Sequence, residues 1–105
     1  MENSLYQREN LRHLSKLGQL APEQLQAFQS FSETAMAAGT LTNKEKEIIA
    51  VAVAHATECP YCIDVHTRKA KAAGASLEEL VEAAFVTAAI EAGGQLRTAR
   101  ICRTL

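Results

Sequence analysis

Tryptophan is absent from this chain, and only two tyrosines and three phenylalanines are present. Without basic runs interleaved with aromatics, nothing in the sequence resembles a nucleic-acid surface. The formal net charge is −1. The longest charged cluster, Lys44-Glu45-Lys46-Glu47, mixes both signs. No apolar stretch approaches the ~18 to 20 residues needed to cross a bilayer. No alternating apolar–polar pattern marks a strand, and no proline- or glycine-rich tract marks a linker. The opening Met1-Glu2-Asn3-Ser4 is polar, so no secretory signal is expected and the protein is expected in the cytoplasm.

What is present is alanine-rich and apolar: hydrophobic residues make up 48 % of 105 residues. That length suits a single domain over residues 1–105. A domain so small is only modestly stable alone, and small side chains let helices approach closely. Tightly packed helices or a helical oligomer are therefore expected.

Helical punctuation recurs along the chain. A first segment from about Ser4 to Leu17 carries leucines at helical spacing, and Gly18 is expected to end it. Pro22 suits the first position of a second helix, whose stripe is Leu25, Phe28, Phe31, Ala35 and Met36, with Gly39 as its stop. Thr42-Asn43-Lys44-Glu45 fits a capping box. The helix beyond it, holding Ile48, Ile49, Val51 and Val53, is apolar on nearly all sides and is expected to be central. Pro60 predicts another helix with Cys59 at its N-cap, running to about Ala73 and closed by Gly74. Ser76-Leu77-Glu78-Glu79 is a second capping box, opening a helix that Gly93-Gly94 is expected to break or kink.

Three cysteines in a reducing compartment do not make a disulfide framework, but Cys59-Pro60-Tyr61-Cys62 is a CxxC, which points to redox or metal chemistry. With Cys59 at the N-cap, Cys62 falls one turn later, close enough for the two sulfurs to cycle between dithiol and disulfide. Unpaired amides and the positive end of the helix dipole favour a thiolate there, whereas Glu58 opposes it. His66, four residues beyond Cys62, shares that helix face and can move a proton. Glu47, on the apolar helix, is a second proton-shuttle candidate.

Glu47, eleven intervening residues, Cys59-Pro60-Tyr61-Cys62, three more residues and His66 resemble the signature of the AhpD-like alkylhydroperoxidases, within the carboxymuconolactone decarboxylase family. The resemblance extends over roughly Leu41 to Gly94. It implies an all-α, compact AhpD-like bundle of about five to six helices in a single repeat unit. It implies a peroxidase that reduces organic hydroperoxides. Cys62 would attack as thiolate, Cys59 would protonate the leaving group and resolve the sulfenic acid, and His66 with Glu47 would relay protons. A lipoyl or thioredoxin-like dithiol protein would restore the thiols, and no cofactor would be needed. Single-unit members assemble into dimers, trimers or hexamers, so a homo-oligomer is expected. Tyr61 stands where the best-studied members carry histidine.

Other readings remain open from the residues alone. A thiol–disulfide exchange partner or redox sensor needs the same pair without robust peroxidase activity. Zinc would use Cys59, Cys62 and His66, with Cys102 or His55 as a fourth ligand. Otherwise His55 reads as a core histidine, Cys102 as a lone thiol without a role, Tyr61 as exposed or at a pocket mouth, and Arg68, Lys69 and Lys71 as a solvated face.

Overall fold

The computed structural model describes residues 7–104. Among these residues all regular structure is helical. A 3-10 stretch over Arg8–His13 leads into α1 (Leu14–Leu20), followed by α2 (Pro22–Met36), α3 (Asn43–Ala56), α4 (Pro60–Ala72) and α5 (Leu77–Ala99). A second 3-10 stretch, Arg100–Thr104, follows α5. The all-α expectation holds. None of these helices is long and apolar enough to cross a membrane. The chain divides between Asn43 and Lys44 into two compact units.

In the first unit, Pro22 occupies the first turn of α2 as its fixed φ favours. Gly18 does not end the preceding helix, which continues to Leu20. A Cβ there would stand 2.9 Å from Leu25 Cδ2 of α2, the tip of a side chain that would have to turn aside. Gly39 likewise does not stop α2, which ends earlier at Met36, with the Ala37 amide still bonded to Glu33. The expected start at Ser4 lies outside the described residues.

The second unit holds every fully buried side chain among the described residues. Val51, Ala70, Ala75 and Leu80 form its core, with Ile48 packed against them. Alanine at two of those four places lets the helix backbones come together. Val51, only 1 % exposed, plugs the centre. The centrality expected of α3 is confined to one face: Glu47, Val51 and Ala54 are buried, whereas Ile49 and Val53 are exposed. Composition makes a helix apolar all round without saying which sides meet a neighbour. The Thr87 hydroxyl of α5 adds a polar tie, donating to the Ala52 carbonyl of α3 at 2.8 Å.

Two helix ends in this unit close alike. At the end of α4, the Ala75 amide donates to Ala70 and the Gly74 amide to Lys71, with Gly74 at φ 100°. At the end of α3, the Cys59 amide donates to Ala54 and the Glu58 amide to His55, with Glu58 at φ 55°. Both are Schellman closures, in which one residue must turn left-handed. Glycine supplies it in one case and glutamate in the other.

At the start of α5, Ser76 Oγ accepts from the Glu79 amide at 3.1 Å while Glu79 Oε1 accepts from the Ser76 amide at 2.9 Å. Glu79 Oε2 also meets Lys44 Nζ at 3.1 Å, joining the first turns of α3 and α5. Both the amide and the lysine hold the Glu79 carboxyl below its ordinary value. The expected break at Gly93-Gly94 is absent, and α5 runs through both to Ala99. Intrahelical bonds on either side carry the helix across two residues of poor propensity, at about 1 kcal/mol each relative to alanine.

Glu58→Gly is expected to stabilise the protein by about 1 kcal/mol, and Gly74→Ala to destabilise it by a similar amount. A Cβ at Gly74 meets nothing within 4 Å, so its cost is one of backbone conformation alone. Urea unfolding midpoints of the two variants check both signs.

Candidate functional site

The turn between α3 and α4 builds the site. Cys59 is extended (φ −102°, ψ 99°), as an N-cap residue must be, and its sulfur accepts the Cys62 amide at 3.2 Å. Pro60 follows in the first helical turn, where its missing N–H costs nothing. Cysteine therefore takes the place that serine or aspartate fills in other helices. Its backbone N–H is used at the same time to close α3 on Ala54.

This seat separates the two thiols. The Cys59 thiol is held below its ordinary value, first by a hydrogen bond from the Cys62 side chain and then by the Cys62 and Tyr61 amides. Cys62 is pushed up to about 11, first by its hydrogen bond to Cys59 and then by burial and the neighbouring charge. The two thiols are thus driven apart in acidity, Cys59 downward and Cys62 upward. Both cysteines are half-buried and free.

One turn beyond Cys62, His66 Nδ1 lies 2.8 Å from Glu47 Oε2 of α3. Glu47 is 4 % exposed, and the His66 side chain 23 %. A carboxylate can only accept, so Nδ1 carries the proton and Nε2 is the nitrogen left to take or give one. The pair also fastens α4 to α3 within the core. A buried carboxylate has to be partnered, and here its partner is an imidazole on the dithiol helix.

The structure thus joins the expected residues in two couples, Cys59 with Cys62 and Glu47 with His66, both anchored on α4. His55 stays outside them: its Nδ1 donates to the Val51 carbonyl of its own helix at 2.8 Å, satisfying it locally. Tyr61 is half-buried. Cys102 is exposed in the final 3-10 stretch. Arg68, Lys69 and Lys71 lie on the exposed face of α4, where Arg68 Nε donates to Asp64 Oδ1 at 3.2 Å. Among the described residues no three His, Cys, Asp or Glu side chains converge as a metal ion would require.

Two contributors escape a reading of the sequence. The left-handed Glu58 is hidden because no glycine marks it; its signal is the comparison with Gly74 at the equivalent place after α4. Thr87 is one buried hydroxyl in an apolar helix, and only the position of the Ala52 carbonyl gives it a purpose.

Residues 22–102 match the sequence profile of the carboxymuconolactone decarboxylase family. The uncharacterized protein 4 of the cox locus of Paracoccus denitrificans is 45 % identical over 67 residues, which is 64 % of this chain and 60 % of that protein. The chain thus spans less than two thirds of that relative's length. An uncharacterized Cupriavidus necator protein is 37 % identical over 83 residues, 79 % of this chain and 72 % of its own. A crystal structure from Methanobacterium thermoautotrophicum aligns with TM-score 0.76 and 38 % identity, over 80 % of this chain and 94 % of its own. A carboxymuconolactone decarboxylase family protein from Legionella pneumophila aligns with TM-score 0.75 and 33 % identity, over 88 % and 82 % respectively.

The Cys59–Cys62 pair of the reduced protein is expected to titrate in two separate steps, the first below the ordinary value of 9.0 and the second near 11, in addition to the third thiol, exposed Cys102. Cys62 is raised in the folded state, so its contribution to stability is present below pH 9.0 and is lost as the pH climbs toward 11. Cys59 is lowered, so its contribution is present above the ordinary value and fades as the pH falls through its folded value. Thiolate absorbance and alkaline unfolding of wild type and Cys62→Ser check both; a single merged step would contradict this geometry.

Proposed function

Since this chain belongs to the carboxymuconolactone decarboxylase family, we propose that it is a thiol-dependent peroxidase that reduces organic hydroperoxides through a Cys59–Cys62 dithiol–disulfide cycle. The observation that carries the reading is the seating of the Cys59 sulfur on the first amides of α4, which gives the pair one readily lost proton.

The cycle starts with Cys59 as thiolate and Cys62 as thiol. As peroxide arrives, the Cys62 proton passes to Cys59 along the bond between them. The Cys62 sulfur then attacks the terminal peroxide oxygen and the O–O bond breaks. Cys62 becomes a sulfenic acid, while the departing alkoxide takes the proton from Cys59 and leaves as the alcohol. Cys59, again a thiolate, attacks the sulfenic sulfur; the S–S bond forms and hydroxide leaves. His66, oriented by Glu47, supplies the proton that makes it water and recovers that proton from solvent.

An external dithiol protein, of lipoyl or thioredoxin-like chemistry, then reduces the disulfide and becomes oxidised itself. The cytoplasm is the compartment that keeps such donors reduced. The active form is a homo-oligomer. In the single chain the second unit leaves Phe85 and Ile90 of α5 and Ile49 and Val53 of α3 exposed, and further copies would cover them.

Hydroperoxide-dependent consumption of a dithiol is expected from the wild type and from neither Cys62→Ser nor Cys59→Ser. A sulfenic-acid reagent is expected to label Cys62 in Cys59→Ser, and His66→Ala to slow turnover on the order of 100-fold. Label at Cys59 in Cys62→Ser, with none at Cys62 in Cys59→Ser, would reverse the two roles. Oxidation no faster than that of a free thiol would replace the peroxidase by a thiol–disulfide exchange protein.

A further inference from the structure

The carboxylates around the dithiol are in different states. Glu47 is buried and bonded to His66. Asp64 is bonded to Arg68. Glu58 is exposed, precedes Cys59 directly, and takes part in no ion pair or side-chain hydrogen bond among the described residues. Its backbone is the left-handed link in the closure of α3, with φ 55°. The Glu58 amide donates to His55 and the next amide to Ala54, so the segment is fixed at both positions.

That placement is costly in two ways. Glycine would adopt the conformation without strain, as Gly74 does in the matching closure. A negative charge here also opposes the thiolate that the amides of α4 favour. Neither cost is needed for folding, since the closure is made by backbone groups alone. The residue that bears them points to a function for its charge.

We infer that Glu58 is a specificity-determining residue of the dithiol: its free carboxylate, carried one residue before Cys59 on the left-handed turn, repels anionic oxidants and thiol reagents and leaves the site to uncharged ones. The inference rests on Cys59 and Cys62 being the reactive pair. On it, hydroperoxides of neutral chains are preferred to those carrying a carboxylate, and the reducing protein presents its dithiol on a surface that is not acidic.

Charges several ångströms apart at a wet surface interact by a fraction of a kilocalorie, which gives a discrimination of about two- to five-fold that salt removes. The test needs no turnover. The reduced full-length chain is alkylated with neutral iodoacetamide or anionic iodoacetate, and each cysteine is followed by peptide mass spectrometry. Exposed Cys102 lies between Arg100 and Arg103, so the baseline at Cys59 is its own preference at high salt. At low salt the preference of Cys59 for iodoacetamide is expected to be about three-fold greater than that baseline. It should fall to the baseline in Glu58→Gln, and invert in Glu58→Lys.

Glu58→Gly separates charge from backbone, because it removes the carboxylate and the strain together and should match Glu58→Gln in preference while exceeding it in stability. An unchanged preference at Cys59 in both Glu58→Gln and Glu58→Lys overturns the inference. Failure of peroxidase activity alone leaves this readout intact, so the two readings fail separately. If both stand, the rate ratio between a neutral alkyl hydroperoxide and a carboxylate-bearing one drops in Glu58→Gln by the same factor.

Discussion

Everything at the candidate site hangs on one residue that serves two helices. The amide of Cys59 ends α3 on the Ala54 carbonyl, and its sulfur begins α4 on the Cys62 amide. A helix start leaves unbonded amides and a helix end leaves unbonded carbonyls, and burial makes both expensive. Placing a cysteine where the two ends meet meets part of both needs. The same placement exposes its sulfur to the positive end of α4, so local architecture and acidity have a common origin.

Glu47 and His66 complete the arrangement from the core side. Their bond crosses from α3 to α4 one turn below the dithiol, in the only part of the chain where described side chains are fully buried. The core there is modest, built on Val51, Leu80 and alanines. A hydrogen-bonded pair of ionisable side chains inside so small a core is weak evidence for stability. It is better understood as a device that fixes which nitrogen of His66 faces away from the carboxylate.

The sequence makes some of this legible and hides the rest for identifiable reasons. Pro60, Gly74 and the Ser76–Glu79 box are local devices, acting within a turn of themselves, and each stands where its chemistry predicts. The register of Cys59, Cys62 and His66 is equally local, because helix spacing alone sets it. Gly18, Gly39 and Gly93-Gly94 mislead, since glycine also rides inside a continuing helix or stands beyond its end. Which face of α3 is covered, and the grip of Thr87 on Ala52, depend on distant partners that no local pattern encodes. The opposite shifts of the two thiols are not readable either, because a hydrogen bond between side chains causes them.

Cysteine and serine are near isosteres, and serine is among the best residues at a helix start. One nucleotide exchange converts one codon into the other. A lineage that ceased to need sulfur chemistry could therefore silence position 59 while α4 kept its opening intact. Redox-mute descendants of this scaffold are thus structurally cheap, and shape alone would not tell them from the active form.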